Sequence, residues 1–118
     1  MTDDLPRIIR TPVPLSVVID IAQRRFGDMS KAAVDIRRRV MALGGELHSD
    51  EEAALLEDGS AQTDIWGINL YPAETGDDWI EFDSMINVRP SENNRSRGVE
   101  DPALRARIRQ AVDSLIVR

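Results

Sequence analysis

Apolar positions along the chain recur with two periods, and each change of period marks a new element. Leu15, Val18, Ile19, Ala22 and Phe26 fall at helical spacing. Arg24 and Arg25 close that run and Gly27 follows as a C-cap, so a helix is predicted over about residues 14–26. Further on the period drops to two. Trp66, Ile68 and Leu70 alternate with Gly67, Asn69 and Tyr71. After the turn-like stretch 72–78, Ile80, Phe82, Ser84, Ile86 and Val88 alternate with Trp79, Glu81, Asp83, Met85, Asn87 and Arg89. Apart from the aromatics beside the turn and Met85, the apolar residues of both runs are even-numbered. An antiparallel hairpin keeps them on one face only if paired residue numbers add to an even sum. A sum of about 150 would set Ile68 opposite Phe82 and Leu70 opposite Ile80. Asn69, Tyr71, Glu81, Asp83, Asn87 and Arg89 would then form an open polar face. Pro90 ends the strand, and 91–98 is a polar loop carrying Asn93, Asn94, Arg95 and Arg97. Asp101 caps a last helix with Pro102 at its first position and Leu104, Ile108, Ala111, Val112 and Leu115 as its buried stripe.

The stretch from Met29 to Leu47 supports two readings. Met29, Ala33, Ile36, Val40 and Leu43 share a helical face, with Asp35 four residues before Arg39. Ala32, Val34 and Ile36 also alternate, and Val40-Met41-Ala42-Leu43 runs into Gly44-Gly45, which suits a strand end or a tight packing point. Two strands turning at Arg37-Arg38-Arg39 is the preferred reading. Ser49 then N-caps a short helix that ends by Asp58-Gly59, with Glu52 completing a capping box. Residues 1–12 read as a flexible arm with a short strand at 7–10, and 13–118 as one domain. The fold class is α+β, in the order α-β-β-α-β-β-α, with helices on one face of a mainly antiparallel four-stranded sheet.

Several stretches resemble a family of small bacterial proteins classed only as a domain of unknown function. They are Phe26-Gly27-Asp28, Val34-Asp35-Ile36, Gly44-Gly45-Glu46-Leu47-His48, Trp66-Gly67-Ile68-Asn69-Leu70-Tyr71-Pro72, Trp79-Ile80-Glu81-Phe82-Asp83-Ser84 and 94–102. The resemblance spans nearly the whole chain after residue 7 and carries no activity. It favours the strand pair over the helix at 32–45, and the triple arginine at 37–39 departs from the mixed charges it implies there.

Charge divides this outline into parts. From Val40 to Val88 there are twelve carboxylates and no lysine or arginine. The flanks hold the other nine acids and all fifteen bases, of which Lys31 alone is lysine. The formal net charge of −6 is thus about −12 in the middle against +6 outside it. A surface of one sign recruits the other, from the same chain, a second copy, a cation or a basic partner. Nucleic acid is disfavoured, because Tyr71 and Trp79 sit among acids. The absence of cysteine excludes disulfides, thiol catalysis and cysteine metal sites. An acidic start without an apolar run after it, and no apolar run long enough to span a bilayer, predict a cytoplasmic protein without membrane attachment.

Candidate chemistry centres on His48, the one histidine, between Glu46 and Asp50. On a shared strand Glu46 and His48 would point the same way and meet Glu81 or Asp83. One imidazole with two or three carboxylates suits general acid–base work or a divalent metal, although no HxH or HExxH pattern is present. Glu81 and Asp83 alternate onto one face roughly 7 Å apart, a spacing for carboxylate-based hydrolysis or for pairing with arginines. Asn93, Asn94, Arg95 and Arg97 precede a helix N-terminus and would make an anion site, or would lock the loop onto the acidic middle. No cofactor is implied beyond that optional metal. Two functions follow. The first is an interaction or self-associating domain that docks through its polar sheet face. The second is a small enzyme or ligand binder, such as a hydrolase of a phosphorylated or glycosidic small molecule. Its site would be drawn from His48, Glu81 and Asp83 with Glu46, Asn69, Tyr71, Asn87, Arg89, Asn94, Arg95 and Arg97, and its ligand would be a small anion.

Overall fold

A computed structural model describes residues 4–118; Met1, Thr2 and Asp3 of the expected arm lie outside the described residues. In chain order the elements are β1 (Arg7–Ile9), β2 (Val13–Pro14), α1 (Leu15–Arg25), β3 (Ser30–Asp35), β4 (Val40–Leu43), α2 (His48–Glu57), β5 (Ile65–Leu70), β6 (Ile80–Glu81), α3 (Pro102–Leu115) and β7 (Ile116–Val117). The expected order runs from α1 to α3, with two short strands, β2 and β7, added. β1 is the short strand expected at 7–10, and it pairs antiparallel with β4. The sheet is therefore five-stranded rather than four-stranded, in the order β1-β4-β3-β5-β6, and β2 and β7 form a separate parallel pair.

The strand-pair reading of 30–43 holds, and Asp35 shows why the turn forms there. Its buried carboxylate accepts the backbone N–H groups of Arg37 and Arg38, each at 2.9 Å, and the Ser60 hydroxyl at 2.6 Å. Arg39 takes the left-handed backbone, with φ of 55°. The turn arginines then reach the acidic middle, Arg37 to Asp64 at 2.9 Å and Arg38 to Asp58 at 2.8 Å.

Helices cover both faces of the sheet, which corrects the one-sided expectation. Ala32, Val34, Met41, Leu43, Trp66, Ile68 and Leu70 pack with Val18 and Ile21 of α1 and with Ile108, Ala111, Val112 and Leu115 of α3. On the opposite face, Ala33, Val40, Ala42 and Ile65 pack with Leu55 of α2. Strands buried on both sides lose the clean alternation of a half-exposed sheet. That is why 30–43 read ambiguously. The stripe of α1 also differs from expectation, because Ile21 is buried while Ile19 and Phe26 are exposed.

The β5–β6 hairpin has the expected register, with Leu70 opposite Ile80 and Asn69 opposite Glu81. It stops at Glu81, and the Ile68–Phe82 pair does not form. The chain instead turns through Met85–Asn87 and returns polar side chains to the edge of β5. Asn87 accepts from the Gly67 N–H at 2.8 Å and donates to the Gly67 carbonyl at 2.9 Å, as a neighbouring strand would. Arg89 donates to the Ile65 carbonyl and lies 4.2 Å from the centre of the Trp66 ring. Asn94 donates to the carbonyls of Asn87 (2.7 Å) and Gly98 (2.8 Å) and accepts the Glu100 N–H (2.9 Å). Residue 67 must be glycine, since a Cβ there would lie 2.6 Å from Ser84. α3 starts as expected, with the Asp101 carboxylate accepting the Ala103 N–H at 2.9 Å. Among the described residues, no helix is long and apolar enough to cross a membrane.

Replacing Asn87 with alanine leaves both buried backbone groups of Gly67 without their partner. N87A is expected to lose about 2–4 kcal/mol of stability, seen as a lower urea midpoint at unchanged slope.

Candidate functional site

At the end of the sheet where α2 begins, the face beneath α2 changes from alanine to polar residues. Lys31 of β3 stands opposite Asn69 of β5, and Asn69 opposite Glu81 of β6, so pairing alone makes a polar row across three strands. Asn69 Nδ2 donates to Glu81 Oε1 at 2.8 Å and to the Asp83 carbonyl at 3.2 Å. The Tyr71 hydroxyl donates to the same Glu81 oxygen at 3.1 Å, and burial followed by that bond raises its pKa. Asp83 accepts from Arg97 Nε at 2.7 Å.

His48 is the first residue of α2, so the shared strand that would have aligned it with Glu46 does not form. Leu47 is the last non-helical residue, and Asp50 folds back to accept its N–H at 3.1 Å, in place of the expected Ser49–Glu52 box. Glu46 points away and sits 3.6 Å from Arg25. The His48 ring reaches the sheet, with Nε2 2.8 Å from the Ile68 carbonyl. A carbonyl only accepts, so the proton is on Nε2 and Nδ1 keeps its lone pair. Burial lowers the His48 pKa, with the carbonyl bond opposing, so the ring is neutral at neutral pH.

Between the start of α2 and the 84–86 turn lies a cavity of about 180 Å³, lined by Lys31, Leu47, His48, Ser49, Ser84, Met85, Ile86 and Arg97. Lys31 is half-buried there. Its ammonium lies 5.4 Å from the centre of the Phe26 ring and has no hydrogen-bond or ion-pair partner among the described residues. Beneath the first turn of α2, Glu51 is fully buried with neither carboxyl oxygen hydrogen-bonded. A Cβ at residue 45 would come within 2.8 Å of Glu51 Oε1, so Gly45 leaves the space that this carboxyl fills. Burial pushes the Glu51 pKa up to about 9, with the positive charge of Lys31 opposing.

The structure thus brings together His48, Asn69, Tyr71, Glu81, Asp83 and Arg97, and adds Lys31 and Glu51. Asn87, Arg89 and Asn94 belong to the edge of β5 instead. The polar sheet face expected to lie open is covered in part, with Asn69, Asn87 and Arg89 all under 9% exposed, while Glu81 stays exposed and Tyr71 and Asp83 are half-buried. The loop's backbone anion site is filled from within, because Glu100 accepts the N–H groups of Arg95 (2.7 Å) and Ser96 (2.9 Å). Those bonds lower the Glu100 pKa. Among the described residues, no three histidine or acidic side chains gather to hold a metal ion. Lys31 and Glu51 were missed because one reads as a strand charge and the other as a helix first-turn acid. The one available signal was that Lys31 is the chain's only lysine.

Glu51 makes stability depend on pH in a defined direction. A carboxyl that keeps its proton to about pH 9 when folded loses it near its ordinary value of 4.5 when unfolded. Between those values unfolding releases a proton, so this contribution to stability falls as pH rises. E51Q keeps the shape without the titration. The stability gap between E51Q and the natural chain is expected to widen across that window to a few kcal/mol in favour of E51Q, measured by urea unfolding against pH.

A family model described as "Protein of unknown function (DUF5674)" matches residues 7–115. No curated protein and no solved structure matches the chain. The match covers nearly all of the 118 residues, and the chain belongs to the DUF5674 family.

Proposed function

We propose that this chain is a small-molecule-binding protein whose ligand is a short organic acid, seated in the cavity between the start of α2 and the 84–86 turn. Lys31 carries the reading. A half-buried lysine that lines a cavity and has no ion-pair partner among the described residues is best satisfied by an anion. Arg97 borders the same space and adds potential of the same sign in a chain that is negative overall. Leu47, Met85 and Ile86 supply apolar wall for the body of the ligand. At about 180 Å³ the cavity suits a molecule of a few carbons and is smaller than pockets for drug-sized ligands.

Docking through the polar sheet face has less support, because Asn69, Asn87 and Arg89 on that face are buried. Some carboxylates of the acidic middle also have arginine partners within the chain. Asp58 is bound by Arg10 and Arg38, Asp64 by Arg37 and Asp83 by Arg97. Carboxylate-based hydrolysis is likewise the weaker reading, since Glu81 and Asp83 are taken up by Asn69, Tyr71 and Arg97.

Titration calorimetry with acetate, butyrate and hexanoate, with phosphate for comparison, tests the proposal. Affinity is expected to rise roughly fourfold per added methylene until the cavity is full. K31M, which keeps the apolar stem, is expected to weaken binding by about tenfold or more. Absence of binding by every acid, or equal binding by K31M, would overturn it.

A further inference from the structure

The geometry points to Lys31 as an amine that forms an imine with its ligand, so that the acid it takes carries a carbonyl group, as a 2-oxo acid or an aldehyde acid does. This rests on the anion-binding reading and adds a reaction to it. Fourteen of the fifteen basic residues are arginine, and the ion pairs described above all use arginine. Where only a positive charge is needed, this chain places a guanidinium. In the cavity it places its one basic side chain that can give up a proton and attack a carbonyl carbon. The amine is also uncommitted. Its stem is fixed on β3 opposite Asn69, and among the described residues its nitrogen meets only the face of Phe26.

The groups that such chemistry needs border the same cavity. His48 holds its Nε2 proton on the Ile68 carbonyl and leaves Nδ1 free to take one from the Lys31 ammonium. Its lowered pKa keeps it in the neutral form that a base requires. Arg97, steadied by Asp83 at 2.7 Å, is available to the carboxylate and would orient the neighbouring carbonyl. The free amine adds to the carbonyl carbon, and the former carbonyl oxygen receives the proton that His48 had taken. The resulting carbinolamine, whose nitrogen still carries two protons, then loses that hydroxyl together with one of them as water and leaves a protonated imine. The sum is ammonium plus carbonyl giving iminium plus water, with no change of oxidation state.

Reductive trapping tests the step. The intact protein is incubated with pyruvate or glyoxylate and sodium cyanoborohydride, and modification is mapped peptide by peptide. Lys31 is expected to be modified at least about tenfold faster than the chain's α-amino group. K31R, checked for folding by its thermal melt, is expected to give no adduct at residue 31, with modification of the α-amino group unchanged. H48Q, checked for folding by its thermal melt, is expected to slow trapping at Lys31 while leaving the rate at the α-amino group unchanged. If Lys31 reacts no faster than the α-amino group while butyrate still binds, the imine is refuted and the binding reading stands. If neither butyrate nor pyruvate binds, both fall.

Discussion

The arrangement at the polar end of the molecule depends on how β5 completes its hydrogen bonds. β6 covers only two of its residues, and beyond Glu81 no strand lies alongside. Buried backbone groups without partners are costly, so something must replace the missing strand. The Asn87 amide takes both groups of Gly67, and the Arg89 guanidinium takes the Ile65 carbonyl. Because side chains do this, the main chain from 82 to 99 is free to wind back over the sheet. That brings Met85, Ile86 and Arg97 opposite the start of α2 and makes the cavity.

Sealing the sheet on both faces shapes the same region from the other side. Alanines at 33 and 42 let α2 sit close where it packs on its apolar stripe. Toward the N-terminus of α2 that stripe runs out, and Glu51 and His48 meet Lys31 and Asn69 instead. A fully buried carboxyl without hydrogen bonds is tolerated there because it keeps its proton. The polar groups of the candidate site are thus a consequence of where the apolar packing stops.

Much of this was legible in the sequence where a local rule and the tertiary structure agree. Asp101-Pro102 starts α3, and the even-numbered apolar residues fix the hairpin register at Leu70–Ile80. Legibility failed where one pattern serves two structures. Ser84, Ile86 and Val88 alternate as a strand would, yet they lie in a turn and return path set by long-range bonds from Asn87 and Asn94. The two-sided sheet was hidden because small alanines carry no strong facial signal, and a single short helix covers the second face. A shared strand for Glu46 and His48 was open on the sequence, but β4 ends at Leu43 and α2 begins at His48, so the two side chains diverge.

The Asp58 carboxylate, beyond the end of α2, is held by Arg10, just after β1, and by Arg38 in the β3–β4 turn. Those three segments are far apart in sequence, so the contact forms only once strand, turn and helix are already assembled. Such a contact braces the assembled fold where three separate parts of the chain converge, and because both arginines depress the Asp58 pKa, the brace outlasts ordinary carboxylate contacts as pH falls.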